Sequence, residues 1–97
     1  MTAVAQPAGL LSVLKDSTAS PSERDDAAMD LGDFDVALPV LVAVAHELNT
    51  PDVVVNSCGT SIGEIWKRTG GFDQPTFDSL PKTARDEIVG LLSILAV

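Results

Sequence analysis

The sequence predicts an all-α fold, and three observations support this. Prolines recur 30 residues apart, at Pro21, Pro51 and Pro81, and each opens a stretch with helical patterning. Apolar residues between them recur at three- and four-residue intervals, which places them on one face of a helix. The one β-branched run, 53–55, is followed by Asn56 and by glycines that interrupt a strand. We therefore interpret that run as the buried first turn of a helix.

The three prolines are predicted to mark the starts of helices. Proline suits the first turn because the N–H that it lacks would have no intrahelical partner there. Ser20 and Thr50 come directly before two of the prolines, where a side-chain oxygen can cap the free amides. A period near 30 residues is typical of repeated helical hairpins.

A second, apolar helix is predicted before two of the proline-led helices. The first covers Ala8 to Lys15 and the second covers Val36 to Asn49. The apolar stripe of the second consists of Leu38, Leu41, Val42, Ala45 and Leu48. Before the third proline, Thr76 to Leu80 allows a single turn at most. The sequence therefore predicts about five helices in a single domain covering residues 1–97. The run from Ile88 to Val97 is predicted to pack as a terminal cap.

The stretch over residues 20–65 resembles HEAT repeats of the short bacterial type. That family follows an Arg-x-x-Ala-Ala-x-x-Leu-Gly helix with an Ala-Leu-Pro-x-Leu connector. The matching residues are Arg24, Ala27, Ala28, Leu31, Gly32, Ala37, Leu38, Pro39 and Leu41. In the second copy Val55 stands where the arginine would be, and Arg85 returns in the third. The resemblance implies a short right-handed stack of HEAT-like helical hairpins, with Arg24 partly buried.

The charge of the chain restricts the class of partner. Fourteen acids against six bases leave a formal charge of −8. Nucleic acid is disfavoured as a partner because phosphate binding needs a surplus of lysine and arginine, and anionic membrane surfaces repel the same charge. A basic protein is favoured, since the summed field attracts it over a distance. The alternative is that the acids serve solubility alone.

One row of acids stands out as a candidate binding surface. Glu23, Asp26, Asp30 and Asp33 follow helical spacing and line one face, opposite Ala27, Ala28 and Leu31. A polar row on the next parallel helix is predicted to extend this surface, and it consists of Asp52, Asn56, Thr60 and Glu64. The alternative is a solvated face whose first-turn acids complement the helix dipole.

Catalytic, metal and cofactor sites are not indicated by the sequence. Cys58 falls on an apolar stripe, where a thiol behaves as a small hydrophobe, and we expect it to be buried and inert. His46 is expected to face solvent at a helix C-terminus. Trp66 lies beside Ile62 and Ile65 and is assigned to the core, with an interface anchor as the alternative. We expect no enzyme activity, no metal and no cofactor.

These features favour a protein that acts by binding another protein. A small, acidic, helical chain is similar to bacterial toxin-neutralising immunity proteins of the contact-dependent inhibition type. That similarity implies a monomer or a 1:1 complex in which the acidic face covers a basic toxin, for example a nuclease. The alternatives are a HEAT-like adaptor or regulatory subunit of a larger complex, and an accessory chain that helps load an enzyme cofactor. The single cysteine and the absence of a signal-like pattern in residues 1–9 predict a cytoplasmic protein.

Overall fold

The computed structural model describes residues 7–93, and every regular element in that range is helical. Six α-helices follow one another along the chain: α1 (Ala8–Lys15), α2 (Pro21–Asp30), α3 (Leu38–His46), α4 (Asp52–Thr69), α5 (Gln74–Ser79) and α6 (Lys82–Leu92). Two 3-10 turns, Leu31–Asp33 and Asp35–Ala37, connect α2 to α3. The all-α prediction is confirmed for these residues. There is one helix more than expected, because the single turn anticipated around residue 76 is the six-residue helix α5.

The prolines lie at helix starts, as predicted, but the caps differ from one start to the next. Pro21 is the first residue of α2, whereas Pro51 and Pro81 immediately precede α4 and α6. Ser20 caps α2 by accepting from the amide of Glu23 at 3.1 Å. Thr50 does not cap α4, so this prediction was wrong. Its hydroxyl donates instead to the carbonyl of Val44 at 2.8 Å, near the end of α3.

Helix α3 is shorter than the predicted range 36–49. The 3-10 turn at Asp35–Ala37 takes up its expected first residues, and the backbone becomes extended at Glu47, where ψ is 129°. Because the helix has already ended, Leu48 lies in the following turn and is fully exposed. Its assignment to the apolar stripe was wrong. Leu41 and Ala45 of that stripe are buried as expected.

Helix α4 is the centre of the packing. It contacts α2, α3 and α6, while α1 packs against α2 and α3. Its contact with α6 is the most extensive between any two of the described helices and depends on a glycine. A Cβ at Gly59 would lie 2.6 Å from the Cα and the carbonyl oxygen of Ala84, so only glycine permits this approach.

The arginine of the first repeat-like motif is buried, as the resemblance implied. Arg24 is 6% exposed, and its Nε donates to the carbonyl oxygen of Leu14 at 3.0 Å. This carbonyl belongs to the last turn of α1, where backbone acceptors lack an intrahelical partner. Arg24 therefore ties α2 to the C-terminal end of α1.

The C-terminal helix contributes to the core in the described range. Ile88 is fully buried, and Leu91 and Leu92 are half-buried. The last residues of the predicted cap, 94–97, lie outside the described residues. Among residues 7–93, no helix combines the length and apolar character needed to cross a bilayer.

Cys58 is expected to resist alkylation in the native protein. The side chain is fully buried, and burial raises the pKa of its thiol to about 12. The thiolate is the reactive species, so iodoacetamide at pH 8 should modify the native chain orders of magnitude more slowly than the chain in denaturant. Mass spectrometry over time measures both rates, and similar rates would show that Cys58 is accessible.

Candidate functional site: an acidic surface on α2 and α4

The predicted acidic row along α2 and the turn after it is exposed to solvent. Glu23, Asp26 and Asp30 are exposed on α2, and Asp33 is exposed in the 3-10 turn that follows. The opposite side of the same helix carries the buried residues Ala27 and Ala28. The register predicted from the spacing is therefore the observed one.

Three of these acids have no counter-charge among residues 7–93. Ion pairs within residues 7–93 join Arg68 to Asp35 and Lys82 to Asp86. In this range Asp26, Asp30 and Asp33 take part in no ion pair or side-chain hydrogen bond. Their spacings of three and four residues bring like charges together on one face, which disfavours the isolated helix by about 0.2–0.5 kcal/mol per pair.

Glu23 differs from the other three because it has a structural role. Its Oε1 accepts from the backbone amide of Ser20 at 3.1 Å, while the Ser20 hydroxyl accepts from the amide of Glu23. This reciprocal pair is a capping box, and it fixes the first turn of α2. The Ser-x-x-Glu spacing of Ser20 and Glu23 is the sequence signature of this capping box.

Helix α4 runs parallel to α2, because the contacts between them advance in step along both. Asp25 accepts from the hydroxyl of Ser57, and one helical turn further the carbonyl of Ala28 accepts from the hydroxyl of Ser61. Sequence reasoning did not identify these links, since the residues are far apart in the chain. They set the register in which the two polar rows lie side by side.

The four polar residues predicted on α4 do not all lie beside the same neighbouring helix. Glu64 is exposed and adjoins the end of the α2 row, since a Cβ on Gly32 would lie 2.9 Å from its Oε1. Thr60 points instead towards α6, where its hydroxyl donates to Oε1 of Glu87 at 3.2 Å. Glu87 was not predicted. The acidic surface thus continues from α2 across α4 towards α6.

The remaining two residues of the α4 row lie nearer its N-terminus. Asp52 is exposed in the first turn, where a carboxylate complements the helix dipole, and Asn56 is half-buried. Asp52 stands 12 residues before Glu64, which corresponds to roughly 18 Å along the helix axis. Asp52 is therefore at the edge of the surface. We define the acidic surface as Asp26, Asp30, Asp33, Glu64 and Glu87.

Two further groups modify this surface. Arg68 donates to the carbonyl oxygen of Gly32 at 3.0 Å and forms an ion pair with Asp35, so it neutralises the acid just beyond the α2 row. Met29 and Val53 are large apolar side chains that are 45% and 46% exposed on the two helices. A partner on this surface would thus meet apolar area as well as charge.

The residues considered for catalysis are separated in the structure. His46 is exposed at the end of α3, with Nε2 3.0 Å from the hydroxyl oxygen of Ser79. Cys58 is enclosed in the core, and no hydrogen bond joins it to His46. Trp66 is 2% exposed, which confirms its assignment to the core. In residues 7–93, no three His, Cys, Asp or Glu side chains are grouped to hold a metal ion.

The chain matches no protein-family model, no curated protein and no solved structure.

Proposed function

We propose that the chain is a non-catalytic protein-binding module that takes a basic partner on the acidic surface. The observation that carries this proposal is the exposure of Asp26, Asp30 and Asp33 without any internal counter-charge in the described range. Their mutual repulsion slightly disfavours the helix. A partner that supplies lysine or arginine relieves that repulsion.

The charge distribution favours fast and selective association with such a partner. A net charge of −8 on 97 residues creates a field that attracts a basic protein before contact. Complementary charge at an interface raises the association rate and rejects partners of the wrong sign. The exposed Met29 and Val53 add apolar area, which slows dissociation once contact is made.

A narrower proposal concerns the identity of the partner. Enzymes that cut nucleic acid carry basic clefts, and an acidic protein can occupy such a cleft in place of phosphates. The chain would then be the immunity protein of a basic toxin such as a nuclease. The small size, the helical fold and the row of acids support this reading.

We also propose that the helices form a short HEAT-like stack. The central position of α4 between α2 and α6 supports this, as does the packing of α1 against both α2 and α3. The buried Arg24 supports it too, because it occupies the arginine position of the repeat pattern. In such a stack α2, α4 and α6 form one layer, and the acidic surface is the outer side of that layer.

Site-specific photocrosslinking in the native host tests the proposal. A photoreactive amino acid replaces Asp30 in one variant and Ala43, an exposed residue of α3, in the control. We expect one dominant crosslinked protein at position 30, with a basic isoelectric point, and its yield should fall as salt rises. Equal crosslinking at both positions, or capture of an acidic protein, would contradict the proposal.

A further inference from the structure

A second surface feature lies around Trp66, away from the acids of α2. An open cavity of about 470 Å³ separates α3 from the beginning of α5. One wall is aliphatic and consists of Leu38, Pro39 and Val42. Trp66, Gly71 and Asp73 also line the cavity. We call this the Trp66 groove.

The indole nitrogen of Trp66 is a hydrogen-bond donor without an acceptor. No residue in the range 7–93 accepts from it. Within that range Arg85 Nε is the one side-chain nitrogen or oxygen that is both sealed from solvent and unpaired, so the unpaired Trp66 nitrogen keeps some contact with solvent. The adjoining Cδ1 atom lies beside Gly71, 3.8 Å from where a Cβ on that glycine would be. Buried tryptophan N–H groups usually have a partner.

Asp73 supplies a negative charge at the rim. One carboxylate oxygen, Oδ2, accepts from the backbone amide of Thr76 at 3.0 Å and from its hydroxyl at 2.5 Å. These bonds lower the pKa of Asp73, so the group is ionised at neutral pH. The other oxygen, Oδ1, has no partner in the described range.

We propose that the Trp66 groove binds an extended segment of a partner protein in which an aliphatic residue stands next to a lysine or arginine. The aliphatic side chain packs against Leu38 and Val42. A main-chain carbonyl of the segment accepts from the Trp66 indole, and the cation pairs with Asp73. This site is separate from the acidic surface, and neither proposal depends on the other.

The charge of the chain also selects among possible occupants. A second copy of the protein is disfavoured, because two chains of charge −8 repel each other. A segment in which an acidic residue stands next to the aliphatic one would be repelled by the Asp73 carboxylate. The basic, aliphatic segment satisfies all three features of the groove at once.

A titration followed by NMR tests this inference. Trp66 is the sole tryptophan, so its indole N–H gives a single resolved signal in a ¹H–¹⁵N spectrum. Acetyl-leucyl-lysine amide should shift this signal saturably in the millimolar range, and acetyl-leucyl-glutamate amide should not. Asp73→Asn retains a residue that caps α5 well, and it should weaken binding of the lysine peptide about three-fold. Gly71→Leu should abolish the shift by filling the groove.

Four outcomes would overturn the proposal. They are an indole signal that does not move, an equal response to the two peptides, full binding by the Gly71→Leu variant, and self-association of the protein without a peptide effect. Circular dichroism checks that each variant is folded. Charge reversal at Asp26, Asp30 and Asp33 should leave the indole titration largely unchanged, which separates this site from the acidic surface.

Discussion

Replacing Gly59 by alanine is expected to lower the free energy of unfolding by about 3 kcal/mol. The new Cβ would lie 2.6 Å from backbone atoms of Ala84, and backbone cannot rotate aside as a side chain can. Helices α4 and α6 must then separate along their most extensive contact. Thermal unfolding followed by circular dichroism should show a midpoint lower by roughly 12–24 °C.

Gly90→Ala provides the matched control for this substitution. Gly90 is also within a helix, but a Cβ there meets nothing within 4 Å. Alanine should therefore stabilise α6 by about 0.5–1 kcal/mol through its better helix propensity. If the two substitutions have the same effect, close packing at Gly59 is not what holds α6 to α4.

Trp66→Ala is expected to cost about 4 kcal/mol in the free energy of unfolding. The side chain is 2% exposed, and its ring contacts Phe72 edge-on, with ring centroids 5.1 Å apart. Truncation leaves a cavity that neighbouring rings cannot fill. Phe72→Ala removes the outer member of the same contact, which is 37% exposed, and should cost only about 1 kcal/mol. Urea titrations of both variants measure the difference, and comparable losses would contradict the assignment of Trp66 to the core.

The helix starts could be predicted from the sequence because the signals are local. A proline fixes its own φ angle and therefore marks a helix start within one or two residues of its position. This holds at Pro21, Pro51 and Pro81. The end of α3 was missed for a different reason. Leu48 continues the apolar spacing of the helix. However, the Thr50 hydroxyl donates a hydrogen bond to the carbonyl oxygen of Val44, which takes the place of a continued helix there. Spacing alone does not reveal that competition.

The candidate site was predictable where it depends on the register of a single helix. The spacing of Asp26, Asp30 and Asp33 is sufficient to place them on one exposed face. The contributions of Arg68 and Glu87 were not predictable, because each depends on which helices become neighbours. A row of acids can thus be located from sequence, whereas the charges that border it require the packed structure.

The most direct test of the central claim is a binding measurement with the purified crosslinked partner. One variant carries Asp26→Lys, Asp30→Lys and Asp33→Lys. The control carries Glu47→Lys, Asp78→Lys and Asp86→Lys, which are exposed elsewhere. Both sets take the net charge from −8 to −2. The control loses in addition the Lys82–Asp86 ion pair and the Gln74–Asp78 hydrogen bond, which are exposed contacts worth little to stability.

We expect the α2 variant to bind at least 100-fold more weakly than the wild-type chain, corresponding to about 3 kcal/mol, with slower association as the first cause. The affinity of the control for the partner should fall less than ten-fold. Higher salt should narrow the difference in affinity between the wild type and the α2 variant. Thermal midpoints of both variants should stay close to that of the wild type. If the α2 variant binds as tightly as the control, the acidic surface is not where the partner docks.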